Sequence, residues 1–361
     1  MRKEVGAKVV EWYSCIIARS VDQAVLLQME IKQLLEKLEQ SDRILAYYSL
    51  VEYRFNMMIY QSTNEDEGDE MLRRVSATAE ESIDNMLRYL YYFVSGQHEF
   101  MHERYRSAIK LFRKAERLLE YVNDEAEEAE FHYFMGAALQ RIDHNAYAAS
   151  YLEDAILSFQ RLQYTERVLY CSNLLAGIFS EARMFEKAEE MLVESIHTAK
   201  FYPYTKLILL RTLGINAYRK KDFLVAKGHY EEVLKDEKYS GQLIHITTHY
   251  NLARTLFHLR EDKKAVTHLE VAKNGSLLLN LKEYSLRCQI LENIYVNRNY
   301  NQLLEELNQL EEMHFYYEVN ELSEELSAYF QEKESFKQAF SFPQKAYNAK
   351  QKVSTLGVDQ I

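Results

Sequence analysis

A small residue followed twelve positions later by alanine, with a large apolar residue four further on, recurs along most of this chain and limits what it can fold into. The set first shows at Gly96, Ala108, Phe112 and Ala115. It returns as Gly136, Ala148, Leu152 and Ala155; as Ala176, Ala188, Leu192 and Ser195; as Gly214, Ala226 and Tyr230; and as Ala253, Ala265, Leu269 and Ala272. A worn copy stands at Ser327, Ala339 and Ala346. The alanine falls at 108, 148, 188, 226, 265 and 339, in steps of 40, 40, 38, 39 and 74, the last spanning a degenerate unit near residues 284–318. Repetition on this scale marks a solenoid, whose units bury their apolar faces only against their neighbours. Small residues are needed where the two helices of a unit cross closely, and the large residue fills the gap against the next unit.

Composition supports helices throughout. The 361 residues include 10 Gly and 2 Pro, where average usage would give about 25 and 18. A chain so poor in turn residues reads as helices joined by short connections. HEAT-like repeats share the period but not the small-then-Ala spacing, which matches tetratricopeptide repeats longer than the usual unit of about 34 residues. The expected fold is all-α: an N-terminal three-helix bundle over residues 1–70, then a right-handed tetratricopeptide superhelix over 71–361 of about seven repeats.

The bundle rests on three apolar series at helical spacing: Val5, Val9, Trp12 and Ile16; Ala24, Leu27, Ile31, Leu34 and Leu38; Ile44, Tyr48, Val51, Phe55 and Met58. Ser20-Val-Asp22 and Gln40-Ser-Asp42 offer N-caps between them. The run from Asn64 to Glu70 reads as a solvated linker, and Pro343 as a kink or early end to the last helix. A net charge of −11 disfavours nucleic-acid binding. Cys15, Cys171 and Cys288 are far apart and form no CxxC, as expected of reduced thiols. Neither a secretory signal nor a spanning helix fits the N-terminus, so the expected location is the cytoplasm, with no membrane partner.

Solenoids bind along an inner face. Positions −6, −2, +1 and +5 from the small residue share that face of the first helix. They give Glu130, Phe134, Ala137 and Arg141; Tyr170, Leu174, Gly177 and Glu181; Ile208, Thr212, Ile215 and Arg219; and Thr247, Asn251, Arg254 and His258. The mixture of charges, amide and hydroxyls among apolar groups suits an extended peptide. One catalytic signature also occurs: His98-Glu-Phe-Met-His102 satisfies H-E-x-x-H, whose histidines can share a zinc. Its phase, two to six residues after Gly96, places it in a repeat helix, and the structural reading is preferred: no metal.

A three-helix bundle ahead of such repeats resembles the Rap family of Gram-positive bacilli, response-regulator aspartate phosphatases controlled by secreted peptides. Glu11-Trp-Tyr13, Tyr47-Tyr-Ser-Leu-Val-Glu-Tyr-Arg54 and Ala129-Glu-Phe131 carry the likeness. It implies a bundle that embraces a receiver domain and, in some members, a glutamine that orients a water to hydrolyse the phospho-aspartate. Others block the regulator without chemistry. A peptide in the repeat groove then releases the partner. No cofactor is implied, any Mg belonging to the bound response regulator.

This sequence departs from the family pattern at both sites. Asp42 stands where the catalytic glutamine is expected, with Gln40 two residues earlier, and a carboxylate there would repel an anionic phosphoryl group. Phe55 replaces a histidine. In the groove, Glu181 matches the family's acidic anchor and Thr212 its backbone-binding asparagine, while Asn251 holds that phase one repeat later. The expected peptide-binding residues are Glu181, Thr212, Arg219, Asn251 and Arg254. The expected function is a quorum-sensing regulator that inhibits a response regulator by binding it. An active phosphatase of the sporulation or competence type is the alternative and a generic repeat scaffold the second.

Overall fold

The computed structural model describes residues 2–36, 42–60, 65–80, 84–335 and 339–355, and all regular structure among them is helical. Four helices come first: α1 (Arg2–Ile17), α2 (Val21–Leu35), α3 (Asp42–Tyr60) and α4 (Glu65–Glu80). Hairpins follow: α5 (Asn85–Met101) with α6 (Tyr105–Glu116), α7 (Glu125–Arg141) with α8 (Asn145–Arg161), α9 (Thr165–Glu181) with α10 (Phe185–Thr198), α11 (Pro203–Arg219) with α12 (Phe223–Leu234), and α13 (Leu243–His258) with α14 (Asp262–Leu278). α15 (Lys282–Leu291) with α16 (Leu303–Glu312) and α17 (Tyr316–Glu332) with α18 (Ser341–Thr355) complete the order. The chain packs as two compact units, the first from residues up to 141 and 145–171, the second from 142–144 and 172 onward.

Helix crossings lie where the repeat places them. A β-carbon added to Gly96 would sit 2.4 Å from the Phe112 ring, one on Gly136 2.9 Å from Leu152 Cγ, and one on Gly214 2.5 Å from the Tyr230 ring. The alanines at 108, 148, 188, 226 and 265 are fully buried. Seven residues after each small position the chain turns through a left-handed residue: Glu103, Asp143, Arg183, Lys221, Arg260 and, at the end, Glu334. After α5 and α9 the turn closes with the paired 6→1 and 5→2 bonds of a Schellman cap, as in Arg104 N–H to Glu99 O at 2.9 Å and Glu103 N–H to Phe100 O at 3.1 Å. These turns do without glycine, which is why so few were needed.

The degenerate unit becomes clear in the same terms. Arg298 is left-handed, so its small position is Leu291 and its alanine position Leu303; both are fully buried, as are Leu307 and Leu310. Leucines at both crossing positions hide the pattern, and the helix passes into a π turn at Glu292–Val296 directly after Leu291.

Two local expectations are corrected. Asn64 lies outside the described residues, but Glu65–Glu70 is the start of α4 and not a linker. Acidic residues in a first turn suit the positive end of the helix dipole. Gly68 also lets α4 close on the rest of the unit: a β-carbon there would meet Tyr53 Oη at 2.6 Å and the His98 ring at 2.7 Å. Pro343 stands in the first turn of α18, where a missing N–H costs nothing. Of the two N-cap segments, Ser20 caps α2 without a side-chain bond.

In the first unit Trp12 is fully buried between α1 and α3, 5.7 Å from Tyr48 and 5.4 Å from Phe55 by ring centroids. Arg54 is the unit's central charge. It donates to Tyr13 Oη, lies 3.3 Å from Glu127 Oε2 and 3.4 Å from Glu130 Oε1, and stacks 4.4 Å from the Tyr13 ring centroid. Glu130 also pairs with Arg167, and Glu127 accepts from Tyr89 Oη at 2.7 Å. This buried chain ties α1 and α3 to α5, α7 and α9. Asp84 adds a second tie: it caps α5 at Met86 N (3.1 Å) and accepts from Tyr47 Oη at 2.8 Å.

Burial is the largest influence on Glu127, pushing its carboxyl up to about 7 against the opposing pull of Arg54. A carboxyl raised on folding binds more protons in the folded than in the unfolded state between pH 4.5 and 7, so stability falls as pH rises through that window, by at most about 3 kcal/mol. Urea midpoints measured from pH 4.5 to 7.5 should show this decline, and Glu127→Gln should flatten it.

Crossing geometry gives a test by sign. Gly→Ala inside a helix ordinarily stabilises by about 0.5–1 kcal/mol. Gly228→Ala, with open space around its β-carbon, should show that gain. Gly96→Ala should instead cost about 1–3 kcal/mol by overpacking, and a gain at both positions in urea unfolding would refute the crossing argument.

Candidate functional site

The inner-face positions of the second unit converge on one buried ionic cluster. α9 brings Glu181, α11 brings Tyr218 and Arg219, α13 brings Arg254 and His258, and α17 brings Tyr317, Glu321 and Glu325. Arg254 donates from Nε to Glu325 Oε2 at 2.8 Å and from Nη1 to Glu321 Oε2 at 2.9 Å. Arg219 donates from Nε to Glu321 Oε1 at 3.2 Å, its Nη2 lies 3.6 Å from Glu181 Oε1, and its guanidinium stacks 4.8 Å from the Tyr317 ring centroid. His258 Nε2 lies 3.1 Å from Glu325 Oε1, while Tyr218 Oη donates to Glu325 Oε2 at 3.1 Å. Tyr295, carried by the π turn, donates to Glu325 Oε1 at 3.3 Å.

Of the five expected peptide-binding residues, Glu181, Arg219 and Arg254 meet in this cluster. Thr212 is buried and spends its hydroxyl on Ile208 O of its own helix at 3.1 Å. Asn251 has a buried amide nitrogen with no protein partner. Glu321 and Glu325 were overlooked in the sequence, yet they stand at −6 and −2 from Ser327. The phase that selects the inner face elsewhere selects them as well.

The inner-face phase serves another purpose in the first unit. Glu130 is tied to Arg54 and Arg167, Phe134 packs on Phe93, Phe100 and Phe112, Arg141 lies over the Tyr105 ring and Tyr170 under Arg19. Of the two catalytic candidates, Gln40 lies outside the described residues. Asp42 opens α3, and its side chain too lies outside them.

The H-E-x-x-H string is structural. His98 is 1% exposed and both ring nitrogens are engaged: Nε2 lies 3.0 Å from Asp69 Oδ1 and Nδ1 2.5 Å from Tyr53 Oη. With Nε2 donating to the carboxylate, Nδ1 is left to accept from the tyrosine. Burial holds its pKa below the ordinary value, so the ring is neutral. His102 Nδ1 turns to the backbone oxygen of His98 at 2.8 Å, and Glu99 pairs with Arg104. Among the described residues no group of three metal-ligating side chains is poised to hold an ion.

The second unit's charges have the opposite pH sign from Glu127. Although burial alone would raise it, Arg254 and Arg219 hold Glu321 down at about 2, and Arg254 with His258 depresses Glu325. A depressed carboxyl stabilises the fold above pH 4.5 and loses that contribution as pH falls through its folded pKa. Arg254→Met removes the guanidinium that Glu321 and Glu325 share, leaving Glu321 to Arg219 and Glu325 to His258 and two tyrosines, and should cost about 3 kcal/mol at pH 7. Chemical unfolding should show that loss, and it should shrink as pH is lowered below 4.5.

Residues 1–60 match the family model of the N-terminal region of response regulator aspartate phosphatase H. The regulatory protein RapK of Bacillus subtilis strain 168 is 26% identical, over 96% of this chain and 94% of that one. A protein of Rhodococcus hoagii named type II methyltransferase M.CeqI is 36% identical, over 99% of this chain and 70% of that protein. The activity in its name is that protein's. A solved Rap protein in complex with competence and sporulation factor superposes with a TM-score of 0.91 at 23% identity, covering 98% of this chain and 99% of that one. Helical repeats throughout, a matching N-terminal segment and likeness to RapK along nearly its whole length make this chain similar to the Rap family from end to end.

Proposed function

We propose that this chain is a peptide-controlled regulator that acts by holding a response regulator, with the partner surface on the N-terminal helices and the peptide site on the inner face of the second unit. The observation that carries the peptide site is a set of buried polar atoms without protein partners on three successive inner helices: Asn173 Oδ1 on α9, Arg211 Nε on α11 and Asn251 Nδ2 on α13. Each such group costs about 1–3 kcal/mol while unmatched. An extended peptide offers alternating N–H and C=O groups, and so can supply the donor that Asn173 Oδ1 lacks and the acceptors that Arg211 Nε and Asn251 Nδ2 lack. The solved relative that holds competence and sporulation factor supports the reading, as does RapK, a regulatory protein by name.

Binding without hydrolysis is favoured by Asp42 at the expected glutamine position. A carboxylate cannot donate to a phosphoryl oxygen and repels its charge. No cofactor of its own is required, since any magnesium would come with the receiver domain. Work in the cytoplasm fits three free thiols and the finding that no described helix is long and apolar enough to cross a membrane.

A phosphorylated receiver domain provides the test. The expected result is a stable complex on size exclusion with the phosphate lifetime unchanged. Faster phosphate loss, abolished by Gln40→Ala or Asp42→Ala, would make the chain a phosphatase; neither complex nor turnover would leave only a scaffold. Asn251→Ala should weaken binding of labelled short peptides, read by fluorescence anisotropy, about tenfold while leaving the receiver complex intact.

A further inference from the structure

In a stack of helical repeats each unit touches its neighbours, and apolar surface carries those contacts. α17 departs from this. It is two hairpins beyond α13, three beyond α11 and four beyond α9, yet its carboxylates reach α13, α11 and the turn after α9: Glu325 and Glu321 to Arg254, Glu321 to Arg219, and Glu324 to Arg183 at 3.7 Å. Glu332 pairs with Arg260 at 3.0 Å, beyond the end of α13. At its N-terminus the Tyr317 N–H donates to Asp143 Oδ2 at 3.0 Å, and Asp143 lies in the turn after α7. Stacking demands none of these contacts.

Within a hairpin the crossings are glycine or alanine filled by leucine and aromatic rings, and adjacent hairpins add ion pairs such as Lys227 with Glu261. The contacts of α17 with hairpins two or more away named here are ionic or hydrogen-bonded. Glu321, Glu325, Arg219 and Arg254 all occupy inner-face phase, so the acidic side of α17 takes up the guanidiniums that the inner face of α11 and α13 would otherwise present. We infer that α17 is an ionic clasp: its carboxylates serve as an internal ligand for Arg219 and Arg254 and hold the interior of the second unit shut when no other ligand is bound. Breaking the clasp separates α17 from α9, α11 and α13 without disturbing the hairpins, because the crossings are made elsewhere. The inference does not depend on which peptide or regulator the protein binds.

The test uses the full chain with Cys15→Ser, Arg183→Cys and Glu324→Cys, which puts a reporter thiol on each side of the clasp, both at exposed positions. A short bismaleimide should link the pair within the molecule. Adding Glu321→Gln and Glu325→Gln should slow linkage at least tenfold while the far-ultraviolet helical signal is retained. An unchanged rate overturns the clasp. Should the double variant lose its helical signal, Arg254→Lys is read in its place: it keeps the charge but cannot fork to two carboxylates. Linkage slowed threefold or more supports the clasp, and an unchanged rate overturns it.

Discussion

The close approach of two helices at a small residue is the constraint from which the rest of this structure follows. Once Gly96, Gly136 or Gly214 admits the ring or leucine of its partner helix, the rotation of the first helix about its axis is fixed. Its end then comes seven residues later at a left-handed turn, and a different set of side chains is committed to the interior of the stack. Packing and function are phases of one helix. The residues that face the second helix are small or apolar, and those about a third of a turn away are free to be charged.

That coupling explains how much was legible. Five of the repeats announce themselves by alanines that are fully buried in the structure, and the bundle by Trp12 and its neighbours. The sixth repeat was unreadable because Leu291 and Leu303 replace the two small residues, and the structure absorbs the added bulk in a π turn that no spacing rule encodes. The start of α4 was misread for a related reason. An acidic run around a glycine looks like solvated loop, but Gly68 is there to clear Tyr53 and His98, a contact 30 residues distant from the histidine and invisible to local pattern.

The candidate site was legible in part. Arg219, Arg254 and Glu181 share a cluster because helical phase is a local property. What they would touch was not legible, since α17 arrives from more than sixty residues away. The family strings are clearer in the structure than in the sequence: Trp12 and Tyr13, Tyr47 and Arg54, Glu130 and Phe131 are the residues that fasten α1 and α3 to one another and to α5 and α7. They read as marks of a partner-binding bundle, and what they build is its attachment to the first repeats.

Each unit therefore lays buried ion pairs over an apolar stack, and the Arg54 network of the first and the Arg254 network of the second are unlike in balance. In the first, Arg54 serves Glu127 and Glu130 while Arg167 helps only the second. Glu127 is left with desolvation that one shared guanidinium does not offset, and its carboxyl rises. In the second, Arg254 and Arg219 both reach Glu321, and Arg254, His258 and two tyrosines converge on Glu325, so Glu321 and Glu325 stay ionised despite burial. Buried ion pairs seldom add net stability over well-packed apolar groups. What they add is direction: a guanidinium fork accepts carboxylates at few angles, which lets the first network fix how the bundle sits on its repeats. In the second, the same angular demand limits the ways in which α17 can meet Arg219 and Arg254.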